Sequence, residues 1–389
     1  MVISAEDPAY RQCVKTVMDN IADPDIYFDQ DGICNYYHEY KAAEKTQLFT
    51  GETGKQKLAG LIAQIKKQGK GKPYDCLIGL SGGVDSSYVA WLAKQYGLNP
   101  LAVHFDNGWN SELAVKNIEN IIKRLNIDLF TLVVNWEEFK DLQLAYLRAS
   151  VVDIEVASDH AIFSTMYKLA AEKKIQYIIS GTNLVTEYIM PPSWLYKKMD
   201  YANLSDIHNR YGTLPLKTYP SLNFRKHVYY SGVLKLNPVS VLNYVSYNKE
   251  EAKGLLQKEM QWIDYGGKHF ESVFTKFFQA YILPEKFHID KRKAHLSNLI
   301  CSGQLTREEA IAALRRPIVA PGELAADKEY VLKKLGITES DFNNIMNLPP
   351  QPHTAFKTDT YLKDQYMRLL VRTSKIRKLF RYHKNKTGQ

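Results

Sequence analysis

Cysteine is scarce in this chain. Its four cysteines, Cys13, Cys34, Cys76 and Cys301, are too few and too scattered to form a disulfide framework. Long apolar runs are missing as well, and none approaches the roughly 18 residues needed to span a bilayer. The opening residues MVISAEDPAY lack the basic start and apolar stretch of a secretory leader, so a cytoplasmic location is expected. No G-x-x-x-x-G-K-[ST] phosphate loop occurs, nor a G-x-G-x-x-G dinucleotide fingerprint, nor an internal repeat or low-complexity tract. These absences argue against a disulfide-stapled domain, a membrane-spanning protein, a Walker-type nucleotidase and a Rossmann dehydrogenase.

What is present suits a large folded protein. Hydrophobic residues make up 45% and charged residues 24% of the 389 positions, enough for a sizeable core. The length suggests two or three units. Net charge is +9, but it is unevenly spread. Residues 361–389 hold nine Lys or Arg against the single acid Asp364, so this tail carries almost all of the excess. Charge concentrated at one end points to a local contact with an acidic partner, RNA or membrane surface rather than to a basic cleft.

Residues 1–50 read as irregular, punctuated by Asp23-Pro24-Asp25 and Asp29-Gln30-Asp31-Gly32. A helix is expected near 55–68. From residue 74 the pattern alternates: strands at 74–80, 100–106, 128–134 and 176–180, with helices at 86–97, 112–125, 137–149 and 158–173. Strands separated by helices of this length predict an α/β fold, a parallel sheet covered by helices on both faces. Ligands in such sheets bind beyond the carboxyl ends of the strands. Residues 184–240 show little periodicity and read as a long excursion. After about 245 the chain reads as helical. Phe270, Val273, Phe274, Phe277, Phe278, Tyr281 and Ile282 make an apolar helical face that Pro284 is expected to end. The implied units are 1–55, 56–245 and 246–389, the last a helical region with the basic tail.

The chemistry concentrates in Ser81-Gly82-Gly83-Val84-Asp85-Ser86-Ser87, between a buried strand and a helix. The glycines let backbone turn tightly and approach an anion. The free N–H groups opening the helix add donors and the positive end of its dipole. Ser81, Ser86 and Ser87 add hydroxyls. Asp85 is repulsive beside phosphate unless a cation intervenes, so its expected role is to hold Mg²⁺ against phosphate oxygens.

This loop, SGGVDSS, resembles that of the PP-loop ATP pyrophosphatases, as do the segments His104-Phe105-Asp106-Asn107-Gly108 and Ser180-Gly181-Thr182-Asn183. The resemblance implies that the loop grips the pyrophosphate end of ATP while a substrate oxygen attacks the α-phosphate. It also implies that backbone near Val103 and Phe105, and around Gly181 and Thr182, lines the adenine pocket. Cys13 to Asn35, Gly181 to Glu187, Tyr265-Gly266-Gly267-Lys268-His269-Phe270-Glu271-Ser272, and Pro284 through Asp290-Lys291-Arg292-Lys293-Ala294-His295-Leu296 narrow the match. Together they are similar to the WbpG-like N-acetyl sugar amidotransferases of lipopolysaccharide and O-antigen synthesis, over about residues 10–350.

That similarity implies that ATP and Mg²⁺ are used to adenylylate the acetamido oxygen of a UDP-linked N-acetyl sugar. Ammonia from a glutaminase partner related to imidazole glycerol phosphate synthase subunits then displaces AMP, leaving an acetamidino group. Charge must be stabilised at the departing pyrophosphate. Lys268, placed at the start of the Phe-rich helix, is the first candidate clamp, with Arg292 and Lys291 behind it. Asn183 and Glu187 are candidates for substrate contact, and Glu187 also for Mg²⁺. The family's N-terminal Cys-x-x-Cys pairs survive here only as Cys13 and Cys34. With His38 they offer three donors where structural zinc takes four, so zinc is not expected and packing among Met18, Ile26, Phe28 and Ile33 replaces it. Two other readings remain: a tRNA-thiolating PP-loop enzyme, for which neither Cys76 nor Cys301 has a cysteine partner, and a non-catalytic nucleotide-binding scaffold for a glutaminase.

Overall fold

The computed structural model describes residues 8–366 and 368. Five parallel strands form one sheet in the order β3-β2-β1-β4-β5: β1 Cys76–Gly79, β2 Pro100–Asp106, β3 Asp128–Val133, β4 Tyr177–Ser180 and β5 Asn237–Ser240. Cys76 lies opposite both Pro100 and Tyr177, which fixes the register at the centre of the sheet.

Successive strand residues face opposite layers. Cys76, Ile78, Ala102, Tyr177 and Ile179 join one apolar cluster. Leu77, Leu101, Val103 and Ile178 join another. The first cluster is completed by the helices Gly51–Gly69, Val84–Gln95, Glu112–Leu125 and Lys249–Met260, and the second by Val156–Glu172. A sheet covered on both faces reads as continuous hydrophobic runs, which is why β1, β2 and β4 were legible. Ser111 caps Glu112–Leu125 through Ala114 N, and Asn135 caps Trp136–Ala149 through Glu137 N and Glu138 N.

The third and largest cluster joins the N-terminal segment, Trp136–Ala149 and the helices after residue 273. Met18 and Ile26 are buried there, with Phe28 and Ile33 packed against it. Cys13 and Cys34 are fully buried, and Cys34 N donates to Cys13 Sγ at 3.2 Å. Arg307 ties this segment to the C-terminal helices by donating to the carbonyls of Cys13 and Thr16. Lys293 pairs with the buried Asp19 in the same seam.

Several expectations are corrected. Residues 1–50 contain the helix Asn35–Gln47, whose Tyr36, Tyr40 and Ala43 are buried at helical spacing. The excursion 184–240 is structured, with the helix Tyr201–Tyr211, shorter turns and the strand β5. β5 was invisible because it is four residues long and carries Pro238, which an edge strand tolerates. The Phe-rich helix begins at Val273, with Ser272 as its cap, so Lys268 precedes it in a loop. It also runs on through a wide turn at Phe278–Ile282 into Leu283–Phe287. Pro284 sits in the first turn of that last piece, where a missing N–H costs nothing, and does not end the helix. The basic tail beyond residue 368 lies outside the described residues.

Candidate functional site

Strand order reverses between β1 and β4. From β1 the chain moves outward to β2 and β3, whereas β4 and β5 lie on the other side. The loops leaving β1 and β4 therefore diverge at a topological switch point, the usual ligand crevice of such sheets. Ser81 and Gly83–Ser86 follow β1, Gly181 and Thr182 follow β4, and both sets line one cavity of about 210 Å³.

The loop's shape follows from its glycines. Gly82 has φ +83°, and a Cβ there would lie 2.5 Å from the Ala114 carbonyl oxygen. A Cβ on Gly83 would meet the Tyr265 hydroxyl at 2.9 Å. The Gly82 carbonyl accepts from Trp262 Nε1 at 2.8 Å and Asn117 Nδ2 at 3.3 Å. Ser86 Oγ donates to the Gly83 carbonyl at 3.1 Å and lies 3.2 Å from Ser81 Oγ. Gly83 caps the following helix without a side-chain bond, which leaves the opening N–H groups of Val84–Gln95 available to an anion. Ser87 is fully buried and does not line the cavity, which corrects its expected part as a hydroxyl donor there.

The walls are charged. Asp85 accepts a hydrogen bond from the Tyr247 hydroxyl. Burial pushes its carboxyl up, Lys268 pulls it down, and Glu187 pushes it up again; the net shift is upward. Lys268 reaches the cavity from the 265–271 loop. Its Nζ sits 3.0 Å from Glu187 Oε1 and donates to the Thr186 carbonyl at 3.0 Å. Burial raises the Glu187 carboxyl, but Lys268 and His269 outweigh it and hold it below the usual range. Glu187 thus orients Lys268. Asn183 is also otherwise engaged: it is buried, caps the turn Leu184–Glu187 through Thr186 N, and donates to the Gly181 carbonyl at 3.1 Å. Its expected substrate contact is replaced by a role in shaping the Gly181–Thr182 turn.

Arg292 is not brought to this cavity. Its guanidinium is spent on Asp290 and on the carbonyls of Ala313, Leu314 and Arg316 at the end of the helix Arg307–Leu314. Residues to which the sequence assigned no role help complete the walls: Lys249, Lys253 and Trp262, with Tyr265, His269 and Glu271 of the quoted motif. Lys249 is lowered by burial and by Lys268. His295, behind them, is held well below its usual range by burial and by Lys268, His269 and Lys291. The motif Tyr265–Ser272 marked this stretch, but the helix Lys249–Met260 carried no comparable signal.

A second cavity of about 370 Å³ shares Ser81 and Ser86 with the first. Val103 and Phe105 line it, together with Glu155, Asp159, Lys198, Thr275 and Lys291. His104, lowered by burial, braces this side with Nδ1 3.1 Å from the Leu80 carbonyl oxygen. Lys291 therefore lines this second cavity and not the loop cavity.

A parallel sheet of this order, with a Ser-Gly-Gly loop running into an uncapped helix at its switch point, defines a PP-loop nucleotide-binding protein. Residues 75–186 match the model described as queuosine biosynthesis protein QueC. Residues 271–370 match LPS biosynthesis protein WbpG-like, C-terminal domain, so a QueC-like segment and a WbpG-like segment lie in one chain. An uncharacterized protein of Methanocaldococcus jannaschii is 37% identical over 134 residues, 34% of this chain and 46% of that protein. The tRNA(Ile)-lysidine synthase of Chlamydia pneumoniae is 38% identical over 71 residues, 17% of this chain and 22% of that protein. The chain thus spans less than half the length of these curated relatives. Similar solved structures include NMN synthetase from Francisella tularensis, with TM-score 0.30, 16% identity and 58% of this chain and 91% of that one covered. Another is the NH3-dependent NAD synthetase from Campylobacter jejuni, with TM-score 0.29, 19% identity and 54% and 84% covered.

Proposed function

We propose that this protein is an ATP-dependent carbon–nitrogen ligase that converts the acetamido group of a nucleotide-linked N-acetyl sugar into an acetamidino group for surface polysaccharide synthesis. The observation that carries this reading is the shared construction of the second cavity. Val103, Phe105 and Glu155 come from the QueC-matching segment, while Glu271, Thr275 and Lys291 come from the WbpG-like domain. A nucleotide-activating loop and the domain matched to lipopolysaccharide biosynthesis thus face the same space.

An amide carbonyl is a poor electrophile, so its oxygen must first become a leaving group. In this reading the Ser81–Ser86 loop and the start of Val84–Gln95 hold the pyrophosphate end of ATP, Lys268 balances its developing charge, and the amide oxygen attacks the α-phosphate. Asp85, a partly buried carboxylate that accepts from the Tyr247 hydroxyl, fits a Mg²⁺ ion. This metal is commonly held by one or two carboxylates together with substrate phosphates. When bound there, Mg²⁺ supplies charge neutralisation at the phosphates. Ammonia, supplied by a glutaminase partner, then replaces AMP. In this reading the reaction is cytoplasmic, where ATP is at hand. No helix among the described residues is long and apolar enough to cross a membrane.

The thiolation alternative is disfavoured by the cysteines. All four are buried, and none lines either cavity. Burial pushes the Cys301 thiol up to about 12, the opposite of an activated sulfur nucleophile.

The test is to incubate UDP-linked N-acetyl sugars with protein, Mg-ATP and ammonium chloride and to weigh the products. The expected product is lighter than substrate by the exchange of O for NH, with AMP and pyrophosphate formed in equal amounts. Pyrophosphate release that leaves every sugar unchanged would remove the reading. Turnover with ammonium alone separates an enzyme from a scaffold for a glutaminase.

A further inference from the structure

Glu155 directly precedes the helix Val156–Glu172, yet its side chain makes no capping bond. Oε2 accepts from Thr275 Oγ1 at 2.8 Å. Oε1 is buried and has no partner among the described residues. Leaving such an atom unpaired is costly, and buried polar atoms without partners call for an explanation in function. Two ammonium groups line the same cavity. Lys198 is fixed between Asp153 at 2.6 Å and Asp159 at 3.0 Å. Lys291 Nζ makes no hydrogen bond or ion pair among the described residues, and burial lowers its pKa.

We propose that Glu155 is the proton acceptor when ammonia adds to the activated amide, a catalytic residue distinct from the ATP-binding loop. This rests on the amide-activating function proposed above. Ammonia's lone pair forms the new C–N bond to the carbon of the protonated imidate, and the C=N π pair withdraws onto the sugar nitrogen. The added nitrogen is now cationic. One of its N–H bonds breaks, the proton passes to Glu155 Oε1, and the bonding pair stays on nitrogen. That pair re-forms a C=N bond as the C–O bond to AMP breaks, with its electrons leaving on AMP. The product is an amidinium, and the proton on Glu155 returns to solvent.

The surroundings suit this work. Burial pushes the carboxyl up to about 7 and Asp159 adds to it, while Thr275, Lys291 and Lys198 oppose the rise. A base that titrates near the working pH is effective both as acceptor and in regeneration. His269 and Glu271 line the same cavity from the 265–271 loop.

The test separates the two half-reactions in Glu155→Gln. Because the side chain caps nothing, the amide should leave the helix start intact. Substrate-dependent pyrophosphate release in a single turnover should stay close to wild type. Amidine formation should fall by about 10²–10⁴-fold, the usual worth of a general base. At fixed free ammonia, the wild-type amidine step should lose rate as pH falls through about 7, and the variant should lack that limb. Thr275→Val is the second arm. It keeps the carboxylate but removes the hydroxyl that lowers it, so the limb should move to higher pH. The proposal is overturned if Glu155→Gln keeps the ammonia step, if it loses pyrophosphate release in parallel, or if Thr275→Val leaves the limb in place. Wild-type protein that activates the sugar but forms no amidine overturns this inference and the proposed function together. One that forms amidine while Glu155→Gln does so equally well overturns the inference alone.

Discussion

The two cavities that meet at Ser81 and Ser86 both contain carboxylates and ammonium groups, but they hold them differently. In the loop cavity most charges are engaged, Asp85 with Tyr247, Lys268 with Glu187 and Thr186, and Lys253 with Asp264, while the Lys249 ammonium has no hydrogen bond or ion pair among the described residues. In the second cavity Glu155 keeps an oxygen unpaired and Lys291 is unpaired among the described residues. Fixed, mutually oriented charges suit the binding of a highly charged ligand without reorganisation. Groups pushed toward neutrality suit proton traffic. Under the proposed function, the difference would let one cleft divide its labour, with activation at the loop and nitrogen chemistry against the WbpG-like segment.

Breaking the first half should have the largest effect. Asp85→Ala and Lys268→Ala are each expected to reduce substrate-dependent pyrophosphate release by at least about 10²-fold, the order seen when one preorganised charge-stabilising group is removed. A coupled pyrophosphate assay checks this, and near-normal turnover would dissolve the division. Gly82→Ala should come next. Its φ of +83° and the 2.5 Å approach to the Ala114 carbonyl oxygen cost about 1–3 kcal/mol, read as a lower melting temperature and weaker nucleotide binding by calorimetry.

A stability measurement sharpens the second half. Glu155 is raised to about 7 from the ordinary glutamate value of about 4.5, so between these values the folded state binds more protons than the unfolded one. Stability owed to this group is therefore complete below about 4.5 and declines as pH rises through 7. Glu155→Gln lacks that decline and should be the more stable protein at pH 8, by about 1–3 kcal/mol. Its advantage should vanish toward pH 4.5 in urea titrations, and an advantage independent of pH would argue against a titrating carboxyl. The smallest effect belongs to Trp262→Phe, which removes one bond to the Gly82 carbonyl while Asn117 keeps the other. About 1 kcal/mol is expected, seen as a modest rise in KM for ATP with kcat little changed.

The parts legible in the sequence were those set by local patterns. SGGVDSS needs only neighbours in the chain to make a strand, a turn and a helix start, and β2 fell at residues 100–106 as the apolar run predicted. The parts that were not legible depend on partners far away. Glu155 gains its meaning from Thr275, 120 residues later. Arg292 looked like a free cation until its guanidinium was placed among the carbonyls ending Arg307–Leu314. Asn183 acts as a cap and Glu187 as the counter-ion of Lys268, roles set by partners that the sequence does not show. Spacing along a sequence reports which residue types are near each other, but not which of them have already been satisfied by packing.

The indole of Trp262 donates to the backbone of the nucleotide loop and lies edge-on to Tyr265, with ring centroids 5.8 Å apart. Its emission is therefore tied to the electric field and position of the loop itself. Among the five tryptophans of the chain, this one supplies a built-in optical gauge of loop occupancy. The spectral change on adding ATP, present in the wild type and missing from Trp262→Phe, would follow ligand arrival in real time without any attached dye.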